Sequence, residues 1–234
     1  STSVYFQYGQ KIYINFTNIA GFKTVDGMIF PRMDSFIIDE NGDTISNAFD
    51  LDMGIDDGFK SKTGGIDLNS STYLDAPIRP HKNYRWDIYV KDRNSDKTLS
   101  TTCVFGVARN ENLKITASNA TCIDAYLYDL GEGLVIKNNR VFPGQSFKMY
   151  FDGLTGFNEN DGQIFIGMEV TMTNGNGEVI LYAENGLSDY EESGISADIV
   201  KTSIYGLIDV PEGETGPLNL TLRIYDLNGD AEVR

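Results

Sequence analysis

Apolar and polar residues alternate with a period of two in short runs along the chain. Ile12, Ile14 and Phe16 alternate with Tyr13 and Asn15, and Phe147, Met149 and Phe151 form a second run of the same kind. Tyr84, Trp86, Ile88 and Val90 alternate with Arg85, Asp87 and Tyr89, and Leu218, Leu220, Leu222 and Ile224 form their counterpart. Alternation of this kind predicts strands with one buried and one solvated face. Further strand-like runs lie at 113–117 and 123–128. Only residues 186–204 allow a short helix, with Asp189, Glu191 and Glu192 near Ile195, Ile199 and Ile204. Turn signals separate the runs. Gly21 and Gly156 each precede a phenylalanine and predict a turn with positive φ and an aromatic anchor. Asp26-Gly27 and Asp161-Gly162 predict turns, and Asn41-Gly42 and Asn176-Gly177 predict two-residue hairpin loops.

These signals come in pairs because the sequence repeats. Residues 9–45 align without a gap to residues 144–180 at an offset of 135, with 13 of 37 positions identical. Unrelated segments would share roughly two or three. The repeat resumes with the offset reduced to 134, where Tyr84, Trp86, Ile88 and Val90 match Leu218, Leu220, Leu222 and Ile224. The identities differ but the buried face is kept, so the core sets the register. Between the two blocks, at 46–83 and 181–217, the copies diverge as loops do. The second copy has a lead-in, 112–141, that the first lacks. The first copy continues past Asp96 for longer than the second does past Asp230.

Two domains are therefore expected, 1–108 and 109–234, each the size of a small sandwich. The pattern predicts an all-β chain of two tandem immunoglobulin-like or transthyretin-like β-sandwiches related by internal duplication. The net charge of −15, from 19 basic and 34 acidic residues, repels phosphate backbones and argues against nucleic-acid binding. No apolar run is long enough to span a bilayer as a helix.

The repeated Gly-Gln, Gly-Phe and Asp-Gly-x-Ile-Phe elements, the run 36–45 and the acidic, Tyr- and Asn-rich composition resemble exported tandem β-sandwich surface proteins and lipoproteins of gut Bacteroidetes. Some of these are fimbrillin-like. The resemblance implies export to the periplasm or outer membrane and cell surface, and is compatible with a lipid anchor upstream of Ser1. It also implies a scaffold, adhesion or glycan-binding role with glycan or protein partners. It makes Asp43-Thr44-Ile45 similar to the O-glycosylation signal of that phylum. It carries over no catalytic residue.

Candidate chemistry is sparse. The single histidine, His81, sits in a Pro-flanked loop with no nucleophile elbow elsewhere in the chain. One histidine and two cysteines are a poor supply of zinc ligands. Carboxylates crowd 50–57 (Asp50, Asp52, Asp56, Asp57) and 189–192, which keeps a carboxylate-dependent carbohydrate hydrolase as an alternative reading. The Asp-x-Asn-x-Asp pattern occurs twice, as Asp92, Asn94, Asp96 and as Asp226, Asn228, Asp230. It resembles the start of a calcium loop, so a calcium-stabilised module is a third reading. The later ligands are missing, however, which favours Asx turns that bond their own backbone. Tyr126 and Tyr128 alternate with Ala125 and Leu127 and are expected to be exposed as a binding platform. Cys103 shares a face with Phe105 and Val107 and is expected in the core. Cys122 shares one with Tyr126 and Tyr128 and is expected to be partly exposed. A bridge between them would close a loop of about twenty residues, worth about 3 kcal/mol, but opposite burial argues against it.

Overall fold

The computed structural model describes residues 4–48, 58–61 and 65–234. They are all-β, in several sheets. The chain divides into two compact units. The first comprises Ser1–Phe6, Lys11–Leu74 and His81–Ala108, and the second comprises Gln7–Gln10, Asp75–Pro80 and Arg109–Arg234. Two short segments that the sequence places in the first domain thus belong to the second unit.

In order, the first half of the chain carries β1 (Val4–Gln7), β2 (Lys11–Ile19), β3 (Met28–Ile29), β4 (Pro31–Asp39) and β5 (Thr44–Ala48). It continues with β6 (Phe59–Lys60), β7 (Ile66–Tyr73), β8 (Lys82–Asp92) and β9 (Thr98–Ala108). One sheet has the order β1-β9-β8-β4-β5, and β2 pairs with β7 in a second. The alternation read in β8 holds, with Tyr84, Trp86, Ile88 and Val90 buried between exposed Arg85, Tyr89 and Lys91.

The second half carries β10 (Ala117–Ser118), β11 (Asp124–Asp129), β12 (Leu134–Val135), β13 (Ser146–Asp152), β14 (Glu159–Asn160) and β15 (Gln163–Ile164). Then come β16 (Ile166–Thr173), β17 (Val179–Ala183), β18 (Ile195–Ser196), the six-residue helix α1 (Ala197–Thr202), β19 (Ser203–Asp209), β20 (Asn219–Asp226) and β21 (Glu232–Val233). One sheet has the order β10-β21-β20-β16-β17, and a second the order β12-β11-β13-β19. A single apolar cluster joins the two, with Ala125, Phe147 and Phe151 from one sheet and Met168, Val170, Leu222 and Ile224 from the other. Of the run at 113–117 only Ala117 is in a strand. The preceding residues include Leu113 and Ile115, which pack against this cluster as loop rather than ladder.

Strand pairing follows the offsets read from the sequence. Met33, Ser35 and Ile37 of β4 face Val90, Ile88 and Trp86 of β8. Met168, Val170 and Met172 of β16 face Ile224, Leu222 and Leu220 of β20. The divergent stretches also contain a matched pair. Ile12 and Phe16 face Thr72 and Leu68, while Phe147 and Phe151 face Ile208 and Ile204. There the offset between copies is 136, and the sequences alone do not show it. Two features differ. The strand β11 beside β13 has no counterpart beside β2 among the described residues, and β21 is two residues long where β9 has eleven.

Candidate functional site

The residues the copies share build turns. Gly9 and Gly144 have φ of 80° and 75°. The side chains of Gln10 and Gln145 accept the backbone N–H of Gln7 and Phe142, three residues back. Asp26-Gly27 and Asp161-Gly162 have positive φ at both residues, the type I′ arrangement of a two-residue hairpin. The Asn-Gly turns are different from expectation. Gly42 and Gly177 have positive φ, but Asn41 and Asn176 do not. Each loop is three residues long and closes through Asp39 to Asp43 or Asn174 to Glu178 backbone pairing. Asp39 Oδ1 accepts the N–H groups of Asn41 and Asp43, and Asn174 Oδ1 those of Asn176 and Glu178. A side-chain acceptor ahead of the turn thus favours a type I turn with a glycine bulge over the two-residue loop.

The Asp-x-Asn-x-Asp motifs are clasps. Asp92 Oδ1 accepts the Asn94 N–H at 3.0 Å, while Oδ2 accepts the Lys23 N–H at 2.6 Å and the Ser95 hydroxyl at 2.5 Å. Asp226 Oδ1 accepts the Asn228 N–H at 2.9 Å and Oδ2 the Asn158 N–H at 2.7 Å. Lys23 and Asn158 are equivalent positions, each following a Gly-Phe pair. One carboxylate therefore ties that loop to the far end of β8 or β20. Burial opposes ionisation of Asp92, but its three donors outweigh this and hold the carboxyl below its ordinary range. Asp96 and Asp230 are exposed. Among the described residues no group of three or more His, Cys, Asp or Glu is placed to hold a metal.

Tyr126 is not exposed. Its side chain lies between Gly9, where a Cβ would come within 2.4 Å of the ring, and Tyr150, stacked at 4.9 Å. Both faces of β11 are buried over Asp124, Ala125, Tyr126 and Leu127, so its alternation does not separate core from solvent. Tyr128 is half-buried, edge-on to Tyr150. Tyr205 and Leu207 of β19 are exposed on this outer face, and the Lys148 ammonium sits 3.7 Å over the Tyr205 ring.

Beneath Tyr126 lies a buried acidic cluster. Asp152 accepts the Tyr8 hydroxyl at 3.0 Å and the Ser203 hydroxyl at 2.5 Å. Burial is the main cause that raises its carboxyl to about 6, and Asp75, itself raised by burial, adds to it. Arg109 donates to Asp124 at 3.0 Å. Cys122 hydrogen-bonds the carbonyls of Asp124 and Asp152, and burial pushes its thiol up to about 12. Both cysteines are free and half-buried, which moves Cys103 outward from its expected core position. Asp124 and Asp152 are each 1% exposed, so no substrate reaches them as they stand.

The second unit also contains a cleft of about 1070 Å³. Leu127, Phe147 and Met149 line it from one sheet, and Met172, Leu220 and Leu222 from the other. Leu220 and Leu218, also in the lining, are only half-buried. At the equivalent positions of the first unit, Trp86 and Tyr84 are 1% and 4% exposed. Lys114, Arg140 and Arg234 stand at the rim with one acid, Glu214. Asn110, itself buried, braces this rim: its Nδ2 donates to Asn139 at 2.6 Å and its Oδ1 accepts the Asn112 N–H at 3.1 Å. No candidate named from the sequence lies here. The signal was the replacement of Tyr84 and Trp86 by two leucines at matched core positions.

The other sequence candidates stay apart. His81 is exposed in its turn, Thr44 is exposed at the start of β5, and Glu191 accepts the Asn185 amide on the surface. Asp50, Asp52, Asp56 and Asp57 lie outside the described residues. No helix among the described residues is long and apolar enough to cross a membrane. No known family model matches the chain, and no characterised protein matches it in sequence.

Proposed function

We propose that the chain is a non-catalytic binding protein built from two duplicated sandwich domains of immunoglobulin-like or transthyretin-like type, and that the cleft of the second is its ligand site. The observation that carries this reading is the cleft itself, open where the matched positions of the first unit are filled by Tyr84 and Trp86. Pockets of this size with an apolar lining and a few polar groups at the mouth suit small ligands. The equal strand registers and twin clasps support duplication. The resemblance in sequence supports export and a place in the periplasm or at the cell surface, with adhesion or scaffolding as the wider role. Calcium has no part in this reading, because the motif carboxylates already accept backbone N–H groups.

The test is binding of N-phenyl-1-naphthylamine, an uncharged apolar fluorophore. The wild type should bind it, and Leu218→Phe/Leu220→Phe, which fills the cleft, should weaken binding at least tenfold while the protein stays folded. Binding unchanged by the filled cleft would overturn the reading. A second reading, glycan binding on the outer face of β13 and β19, has Tyr150 and Tyr205 in its favour. Lys148 already covers the Tyr205 ring, so it ranks second.

A further inference from the structure

We infer that the ligand of this cleft is a single-chain aliphatic carboxylate, held with its chain between the sheets and its head at Arg140 and Lys114. The inference rests on the cleft being a binding site, and it adds the chemistry of the ligand. The lining supplies no charged group at depth: Leu127, Phe147, Met149, Met172 and Leu220 offer only carbon and thioether sulfur. Burying an extended hydrocarbon against such walls is favourable in proportion to its length. A polar or charged group placed there would lose its hydration without compensation.

The mouth has the opposite character. The protein carries a net charge of −15, yet three of its 19 basic residues gather at this one opening with a single acidic side chain. Arg234 leans toward Glu232 at 3.6 Å. Lys114 and Arg140 form no ion pair among the described residues, and both are exposed. Uncompensated cations on an acidic surface are a local attraction for an anion. The guanidinium fork suits a carboxylate head in particular. Their placement is not loose, since buried Asn110 binds both the 112–114 and the 138–140 segments through one side chain. The Thr116 and Arg234 backbones pair in both directions at 2.8 Å, which fixes the segment that follows Lys114. A chain entering between the sheets would pass Leu218 and Leu220, the two residues whose small size leaves the space open.

Isothermal titration of the whole chain with dodecanoate, below its micelle concentration, tests this. Binding is expected, strengthening about fourfold per added methylene from octanoate to dodecanoate. Arg140→Glu/Lys114→Glu, both at exposed positions, should weaken dodecanoate at least tenfold and weaken the uncharged N-phenyl-1-naphthylamine far less. Dodecyl maltoside, uncharged and of equal chain length, should bind at least tenfold more weakly than dodecanoate. If the maltoside binds as well, or charge reversal has no effect, the anionic head is wrong while the cleft stands as a site. If neither amphiphile nor the fluorophore binds the folded protein, both inferences fall. Co-sedimentation with phosphatidylglycerol vesicles in the absence of monomer binding would point to a membrane surface and overturn the proposal.

Discussion

Trp86 and Leu220 occupy the same place in two sheets of the same strand order and register, and they do opposite things. The indole of Trp86 is buried and donates to the Ser35 hydroxyl at 2.7 Å. In the second unit Val170 stands where Ser35 would be, so an indole there would have lost its partner. Leucine at 220 needs none. Both members of the pair differ between the repeats: without the ring the hydroxyl is dispensable, and the space between the sheets is open. Turns, clasps and register are what the copies share. Among the described residues, the cleft at Leu218 and Leu220, the additional strand β11 and the buried pair Asp124 and Asp152 are what they do not. Between the two repeats the shared residues report on folding, and the unshared ones show where the two units differ.

The sharpest test of this equivalence is Gly21 against Gly156, with φ of 100° and 94°. A Cβ on Gly156 would lie 2.4 Å from the Asn119 carbonyl oxygen and 2.8 Å from the Ala120 Cα, backbone atoms that cannot give way locally. On Gly21 the nearest atom would be the Lys97 ammonium at 3.8 Å, the mobile end of a side chain. Gly156→Ala should cost about 4 kcal/mol or more by the standard of severe core defects. Gly21→Ala should cost only the backbone penalty, about 1–2 kcal/mol. Urea denaturation measures both, and equal losses would show that the lead-in does not crowd the second copy as described.

Asp152 provides the next comparison, because its counterpart Thr17 is exposed. The Asp152 carboxyl moves from 3.8 to about 6 on burial. A raised acid favours the folded state below its unfolded pKa and loses that contribution as pH rises through the folded value. Asp75, Asp124, Arg109, Cys122, Tyr8 and Tyr126 share its surroundings. Asp152→Asn removes the charge and keeps the size. The variant should match the wild type near pH 4 and exceed it above pH 7 by up to about 3 kcal/mol, from roughly two pKa units at 1.36 kcal/mol each. Thermal melts across that range decide the matter. A variant less stable at every pH would mean that the hydrogen bonds to Tyr8 and Ser203 outweigh the buried charge.

Much of this was legible in the chain before any coordinates. Period-two alternation located β2, β8, β13 and β20, because each has one apolar face. The same rule failed for Tyr126, because β11 is buried on both faces and alternation then carries no information about solvent. The Asn-Gly turns misled because the deciding residues, Asp39 and Asn174, lie two positions earlier and act through their side chains. The pairing of β2 with β7, and of β13 with β19, lay hidden because loops of unequal length shift the offset to 136. The cleft was half legible. The substitution of two aromatic rings by leucines could be read off the alignment, but whether a neighbour refills such a gap depends on packing that sequence does not encode.

The smallest expected difference is between the two clasps, and here the copies should behave alike. Asp92 and Asp226 each accept the N–H that follows a Gly-Phe pair, at 2.6 and 2.7 Å, and the N–H two residues ahead, at 3.0 and 2.9 Å. Losing an ionised acceptor of part-buried hydrogen bonds costs about 1.5–3 kcal/mol, so Asp92→Ala and Asp226→Ala should each cost about 2 kcal/mol. The carboxylate of Asp92, held below its ordinary range, contributes above pH 4 and stops contributing as pH falls through its folded value. The Asp92→Ala penalty should therefore shrink in acid. Because both oxygens of each carboxylate already have donors, a cation would have to displace backbone N–H groups to bind. Calcium and chelator melts of the wild type should coincide within a degree. A calcium-dependent rise of many degrees that disappears in Asp92→Ala and Asp226→Ala would reverse the assignment and make these loops metal sites that happen to close on themselves when empty.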